Sequence, residues 1–203
     1  MVKLRVAVLA SGSGSNFQAM LDSAALTEAG AQIVCLLCNV PGARVLERAA
    51  GAKIPTEIVS HKDYAAREEF DAAVVERLRA YAPDLIALAG YMRMLSPVFL
   101  RAFPDKVINI HPALLPAFPG VHGIKDAWDY GVKVTGVSVH FVDEGMDTGP
   151  IIAQQALAIE EGESLDALEA RIHKIEHTLY PRVIADFARG RIRREGRRVI
   201  VEK

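Results

Sequence analysis

Short apolar runs alternate with amphipathic stretches over the first half of the chain. The apolar runs predict strands at Leu4–Ala10, Ala31–Cys38, Pro55–Val59, Asp84–Ala89 and Lys106–Ile110. The stretches between them predict helices at Ser15–Ala25, Ala43–Gly51, Tyr64–Tyr81 and Pro97–Phe103, the first opened by a Ser/Asn cap. Strands separated by helices of this length imply right-handed crossovers and a parallel sheet.

The pattern changes after the fifth strand. Val132–Asp143 and Pro150–Leu157 predict two strands around a glycine-containing turn, which favours an antiparallel pair at the sheet edge. Leu165–Arg189 predicts a long amphipathic helix, and residues 191–203 a short hairpin. We therefore expect an α/β fold with a mostly parallel twisted sheet, flanking helices and antiparallel strands towards the C-terminal half, in one domain over residues 1–203.

The charge and composition of the chain limit the kinds of partner that it is expected to bind. The 203 residues include 24 basic and 25 acidic side chains, and 51% are hydrophobic. A core of ordinary size is therefore expected, and no charge excess indicates a nucleic-acid or membrane partner. No run approaches the roughly 18 apolar residues that a membrane span needs. We expect a cytoplasmic protein, monomeric or homodimeric.

Cys35 and Cys38 form a C-x-x-C pattern that can indicate a redox pair or half a zinc site. They lie in a continuous apolar run, however, and an odd spacing on a strand sends the two sulfurs to opposite faces. We interpret them as buried reduced thiols.

The C-terminal tail is rich in arginine. Six arginines surround Glu195 and Gly196: Arg189, Arg191, Arg193, Arg194, Arg197 and Arg198. A basic nucleic-acid patch is one interpretation. A short hairpin with solvated arginines is the interpretation that we favour.

A glycine- and serine-rich loop, Ser11–Asn16, joins the first strand to the first helix. Backbone N–H groups at such a position can bind an anion. The dinucleotide fingerprint fails, because Phe17 replaces its third glycine and Asn39 stands where the ribose-binding acid is expected. A single phosphate fits better than NAD or ATP, and a purely structural turn is the alternative.

Asn109 and His111 end the fifth strand, where ligands bind in open α/β sheets. Two residues apart on a strand, their side chains project to the same face. Pro112 and Pro116 lack an N–H and have a fixed φ, so they stop the strand and stiffen the loop behind the histidine. A hydrogen-bond donor beside a proton carrier suits acyl-group chemistry.

The segment Asp143–Pro150 lies between two predicted strands and contains three acids. Its glycines and proline predict a loop that curls over a site, where one carboxylate can hold the imidazole of His111. Solvated loop charge and a calcium loop are the alternatives, but the acid-rich ladder of a calcium loop is absent.

The remaining histidines carry weaker signals. We expect His61 and His140 to be surface or strand residues. His173, Glu176 and His177 share a face of the long helix. A metal pair there would lack a third ligand, so no metal is expected.

Five motifs together resemble a known family. They are, in order, Ser11–Asn16 (SGSGSN), Ala89–Ser96 (AGYMRMLS), Asn109–Pro116 (NIHPALLP), Asp143–Pro150 (DEGMDTGP) and Glu176–Pro181 (EHTLYP). This set resembles the folate-dependent formyltransferases, and among them the phosphoribosylglycinamide formyltransferases, over about residues 4–190. The resemblance implies a Rossmann-like formyltransferase fold with a phosphate-binding half (1–103), a catalytic and folate half (104–190) and the C-terminal hairpin (191–203).

The resemblance implies transfer of a formyl group from 10-formyltetrahydrofolate to the amino group of glycinamide ribonucleotide, without a metal. Asn109, His111 and Asp147 would be catalytic. The implied substrate-binding residues are Gly14, Ser15, Asn16, Glu176 and His173. The implied folate-binding residues are Arg67, Met92, Arg93, Met94, Leu95, Asn109, Asp143, Glu144 and Gly145.

Three rival functions remain. Methionyl-tRNA formyltransferases carry a tRNA-binding domain and an Arg-Gly-Ala-Ala-like segment, where this chain has Phe118–His122. A formyltetrahydrofolate deformylase would use the same core with water as acceptor. A nucleotide- or NAD-binding module without catalysis would need the fingerprint that Phe17 and Asn39 break.

Overall fold

The fold is built on one seven-stranded sheet, in the order β3-β2-β1-β4-β5-β6-β7. The structure, a computed structural model, describes residues 4–202. The strands are β1 (Leu4–Ala10), β2 (Ala31–Cys38), β3 (Thr56–Ile58), β4 (Leu85–Leu88), β5 (Val107–His111), β6 (Val134–Phe141) and β7 (Ile151–Ala158), and a separate hairpin pairs β8 (Ile192–Glu195) with β9 (Arg198–Val201). β1 to β5 pair in parallel, and β6 and β7 pair antiparallel. The predicted fold class is confirmed.

Helices cover both faces of the sheet. They are α1 (Ser15–Leu21), α2 (Ala24–Ala29), α3 (Val45–Gly51), α4 (Arg67–Arg79), α5 (Pro97–Ala102), α6 (Gly123–Tyr130) and α7 (Leu165–Ala188), with a 3-10 turn at His61–Asp63. One apolar layer packs the sheet against α1, α2, α3 and α7, and the other packs it against α4 and α5. Alternate residues of β1 enter the two layers, since Val6 and Val8 face the first layer while Ala7 and Leu9 face the second.

The two cysteines follow the same alternation. Cys38 lies in the first layer and Cys35 in the second, and both thiols are free and buried. The prediction of buried reduced thiols on opposite faces is confirmed.

Two predictions about the first helix, its C-terminal end and its N-terminal cap, were wrong. The helix expected at 15–25 ends at Leu21, and Ser23 begins a new one by accepting the Leu26 N–H with its side chain. Serine competes for backbone N–H groups and so favours a cap over a helix interior. The first helix has no Ser/Asn cap either, because Gly14 occupies its N-cap with a φ of 72°.

α6 follows the proline- and glycine-containing segment after β5 and is not among the helices predicted above. His122 is its N-cap residue but makes no capping hydrogen bond with its side chain. Among residues 4–202, no helix is long and apolar enough to cross a bilayer.

Candidate active site

Three predicted catalytic side chains meet at the carboxyl end of β5. Asn109 and His111 belong to that strand, and Asp147 comes from the loop between β6 and β7. Asp147 Oδ1 lies 3.5 Å from Asn109 Nδ2, and its Oδ2 lies 3.5 Å from His111 Nδ1. One carboxylate therefore bridges the amide and the imidazole.

Asp147 is held in place by a backbone donor as well. The N–H of Gly120 donates to its Oδ2 at 2.8 Å. Asp147 itself has a φ of 55°, a left-handed conformation that costs a residue with a side chain roughly 1–2 kcal/mol. The surrounding contacts must outweigh that cost for the carboxylate to stay where it is.

The ionised form of Asp147 is favoured. Burial alone would raise its pKa, but the hydrogen bond with His140, the Gly120 N–H and the nearby His111 together lower that pKa below its ordinary value of 3.8. Asp147 is therefore a carboxylate at any pH near neutrality.

His111 is almost fully buried and faces acceptors on both sides. Its Nε2 lies 2.8 Å from the carbonyl oxygen of Phe118, and its Nδ1 faces Asp147. A carbonyl and a carboxylate can only accept, so both contacts are hydrogen bonds only when the ring carries two protons. A Cβ on Gly123 would lie 3.0 Å from His111 Nε2, so the start of α6 packs tightly on the ring.

His140 is a member of this cluster that sequence reasoning missed. We expected a surface or strand residue, and it is indeed in β6, but it is buried and lies opposite Asn109. Its Nε2 is 3.3 Å from Asn109 Nδ2 and 3.4 Å from Asp147 Oδ1. Its Nδ1 donates to the carbonyl oxygen of Phe141 at 2.7 Å, so Nε2 accepts from the Asn109 amide when the ring is neutral and donates to Asp147 Oδ1 when the ring is protonated.

These side chains open into a cavity of about 290 Å³. Apolar and backbone groups line most of it, with a few convergent polar groups, as is typical of small-molecule sites. The lining includes these predicted residues: Met92, Arg93, Met94, Leu95, Asn109, His111, Asp143, Gly145 and Asp147. It also includes Tyr91, Val121, His140 and Met146, which were not predicted.

Two predicted folate residues do not contribute to the lining of this cavity. Arg67 begins α4, is exposed, and lies 3.5 Å from the Glu68 carboxylate. Glu144 is in the loop between β6 and β7 but is exposed and not part of the cavity lining. Their assignment to the folate pocket stays a prediction that this geometry does not support.

The glycine loop is close-packed against α3. A Cβ on Gly14 would lie 2.5 Å from Cγ2 and 3.0 Å from Cα of Val45, so only glycine fits this left-handed position. Arg48 in α3 donates to the carbonyl oxygen of Ser13 at 2.8 Å. These two contacts with α3 hold the loop in this conformation.

The predicted substrate-binding residues form a second cluster beside that loop. Glu176 Oε2 accepts from Asn16 Nδ2 at 3.1 Å and lies 2.9 Å from His173 Nδ1. Within the described part of the chain, Asn16 Oδ1 is buried without a hydrogen-bond partner. The hydrogen bond with Glu176 raises the pKa of His173 above 6.5, whereas burial lowers that of His177, whose ring is stacked on it.

Ser11 joins the two clusters. Its hydroxyl accepts the Met92 N–H at 2.8 Å and donates to Asn39 Oδ1 at 2.6 Å, while its own N–H donates to the Gly90 carbonyl. Gly90 and Met92 line the cavity, and Ser11 begins the glycine loop. Asn39, which stands where a dinucleotide-binding fold has an acidic residue, thus has a structural role.

Both clusters draw on both halves of the chain. The segment Tyr91–Leu95 lines the cavity beside Asn109, and Glu176 and His173 of α7 face the glycine loop. Each cluster therefore combines side chains from residues 1–103 with side chains from residues 104–190. No group of three or more His, Cys, Asp or Glu side chains able to hold a metal ion is found over residues 4–202.

Comparison with known proteins identifies the class. The sequence pattern of a family described as formyl transferase matches residues 4–184. The phosphoribosylglycinamide formyltransferase of Bacillus subtilis is 49% identical over 180 residues, which cover 89% of this chain and 92% of the relative. The chain therefore belongs to the formyl transferase family, in the branch whose members are named phosphoribosylglycinamide formyltransferase.

Two further matches agree with that branch. The trifunctional purine biosynthetic protein adenosine-3 of Drosophila melanogaster is 48% identical over 188 residues, which are 92% of this chain and 14% of that protein. The crystal structure of glycinamide ribonucleotide transformylase 1 from Symbiobacterium toebii superposes with a TM-score of 0.94 at 44% identity, covering 98% of this chain and 94% of that chain.

Proposed function

We propose that this enzyme transfers the formyl group of 10-formyltetrahydrofolate to the amino group of glycinamide ribonucleotide, a step of de novo purine (IMP) biosynthesis. The observation that carries the proposal is the convergence of Asn109, His111 and Asp147 on one cavity. The names of the relatives from Bacillus subtilis and Drosophila melanogaster support the acceptor and the pathway.

The chemistry follows from these groups. The neutral amine attacks the formyl carbon, a new C–N bond forms, and the carbonyl oxygen becomes an oxyanion. The Asn109 amide donates to that oxygen, and the protonated His111, oriented by Asp147, adds to its stabilisation; one such donor is typically worth about 3 kcal/mol. The C–N bond to the folate then breaks.

A proton has to move during the transfer. The attacking amine acquires a surplus proton, and the departing folate nitrogen needs one. His111, or a water bound beside it, passes the proton between them. No covalent intermediate with the protein is required, and Asp147 keeps its charge throughout because its pKa is low.

The ribonucleotide is proposed to lie across the glycine loop. Backbone N–H groups of Gly14, Ser15 and Asn16 face its phosphate, and a protonated His173 adds a positive charge nearby. Glu176 accepts from the ribose hydroxyls, and the unpartnered Asn16 Oδ1 is a further acceptor. The folate is proposed to fill the cavity between Met92–Leu95 and the loop that contains Asp143, Gly145 and Met146.

We also propose how the chain is organised. The chain acts as a single cytoplasmic domain, a monomer or homodimer, with the phosphate-binding half (1–103), the catalytic and folate half (104–190) and the hairpin (191–203) contributing to one site. Residues 1–3 and 203 lie outside the described residues.

An absorbance assay for the folate product tests the function. The purified enzyme receives 10-formyltetrahydrofolate with and without glycinamide ribonucleotide. Product that appears only with the ribonucleotide supports the proposal. Product without it would indicate a deformylase, and product that requires tRNA instead would indicate the methionyl-tRNA class.

A further inference from the structure

The hairpin of β8 and β9 lies outside the part of the chain that the family pattern matches. That match ends at residue 184, and the hairpin begins at Ile192. Ile192 and Val199 pack against the main core, and β9 lies against β7. A segment beyond the family pattern is thus attached to the edge of the sheet that carries the loop with Asp147.

The turn of this hairpin reaches that loop directly. Arg197, between β8 and β9, donates from Nη2 to the carbonyl oxygen of Thr148 at 3.0 Å. Thr148 follows Asp147, so this hydrogen bond holds the peptide group between Thr148 and Gly149, one residue beyond the carboxylate residue.

The loop itself needs such support. Asp147 has a φ of 55°, a left-handed conformation that is less favourable than the ordinary helical or extended one for a residue with a side chain. On one side Gly149 is pinned, because a Cβ there would lie 1.8 Å from the Phe141 carbonyl oxygen. On the other side Asp143 Oδ1 accepts from the Thr148 hydroxyl at 2.6 Å.

A second arginine orients the hairpin. Arg194 forms an ion pair with Asp105, and its guanidinium carbon lies 5.5 Å from the centre of the Phe141 ring. Its Nε donates to the Gly196 carbonyl at 2.9 Å, next to Arg197. The turn is therefore held over the end of β6, at the point from which Arg197 reaches Thr148.

We propose that Arg197 is a positioning residue of the formyl transfer: through the Thr148 carbonyl it keeps the Asp147 carboxylate aimed at His111 and Asn109. The inference rests on the proposed function, in which Asp147 orients His111. It assigns the arginine-rich hairpin a role in the reaction, whereas the sequence alone favoured solvated arginines over a nucleic-acid patch.

The test compares three variants of the full chain. In Arg197→Ala we expect kcat to fall by roughly three- to tenfold, since small displacements of a catalytic group are costly, with an unchanged KM for the ribonucleotide. Arg197→Lys retains a donor and restores part of the loss. Arg198→Ala is the matched control, because no side-chain hydrogen bond or ion pair of Arg198 occurs within residues 4–202.

A second readout does not depend on activity. The Gly120 N–H donates to Asp147 Oδ2, so its amide resonance in a ¹H–¹⁵N spectrum reports the position of the carboxylate. We expect that resonance to shift in Arg197→Ala and to stay in place in Arg198→Ala, with unchanged melting temperatures. Should Arg197→Ala fail to fold, Arg197→Gln serves in the same two measurements.

The outcomes separate the two proposals. Unchanged kcat together with an unchanged Gly120 resonance in a folded Arg197→Ala protein would overturn the positioning role. Wild-type enzyme that does not formylate the ribonucleotide would overturn the proposed function, and the Gly120 resonance would then decide alone whether Arg197 holds the loop.

Discussion

His140 lies within 3.4 Å of Asp147, on the carboxylate oxygen opposite to the one that faces His111. The carboxylate is thus flanked by two imidazoles, with the Asn109 amide 3.3 Å from the His140 ring. Because Nδ1 of His140 is engaged by the Phe141 carbonyl, Nε2 is the ring atom that faces Asn109 and Asp147 and can orient them.

Removing His140 should weaken the orientation of Asn109. For His140→Ala we expect kcat to fall about tenfold, since one lost hydrogen bond of roughly 1–1.5 kcal/mol acts on the oxyanion donor. His140→Gln can still accept from Asn109 and should lose less. Steady-state kinetics would check this, with His61→Gln as a control outside the cavity; equal activity of His140→Ala and wild type would contradict the role.

His111→Ala should leave the fold intact and lower turnover by about two to four orders of magnitude, because general acid–base catalysis and oxyanion stabilisation are lost together. Circular dichroism and single-turnover rates measure the two effects separately. Near-normal turnover in a folded His111→Ala protein would refute its assignment.

Ser11 should couple the two substrates. Its hydroxyl joins the glycine loop to Met92 in the cavity wall, so a bound ribonucleotide is expected to tighten folate binding about fivefold, within the range usual for coupled sites. Ser11→Ala should reduce that coupling towards none. Calorimetry of a folate analogue with and without ribonucleotide measures it, and Ser13→Ala is the neighbouring control; coupling that survives in Ser11→Ala would argue against the connection.

The pKa of His173 should depend on the Glu176 carboxylate. The Glu176 carboxylate raises the pKa of His173 above 6.5, so Glu176→Gln should bring it back towards that value. In the unsubstituted protein, the pair stabilises the folded state fully below pH 6.5. This contribution disappears as the pH rises through the raised pKa of His173 in the folded protein. A ¹H NMR titration of the imidazole checks this.

Glu169→Gln is the comparison, because Glu169 is the weakest of the causes that raise this pKa. A His173 pKa unchanged in Glu176→Gln, or lowered equally by both variants, would show that the hydrogen bond is not the dominant cause.

Much of the fold could be predicted because the pattern of apolar and polar residues indicates which segments form buried strands and which form helices. Ala31–Cys38 reads as an apolar run of eight residues and is a strand with those bounds. Asn109 and His111 could be paired because the period of a strand is two, whatever the strand lies against. Asp147 could be placed beside them only through the family resemblance and the loop signals.

What could not be predicted depends on partners distant in sequence. His140 faces Asn109 because β5 and β6 pair antiparallel in one register, and no local pattern states that register. Arg197 reaches Thr148 only after the hairpin has docked on β7. Ser23 broke a predicted helix because capping competes locally with helix propagation.

The packing of the sheet between two apolar layers affects the reactivity of Cys35 and Cys38. Burial raises the pKa of the Cys35 thiol to about 12 and that of Cys38 above 9.0, so neither reacts readily while its layer stays closed. Each sulfur is enclosed by a different set of helices. The alkylation rate of each thiol therefore reports how often the apolar layer around it opens to solvent.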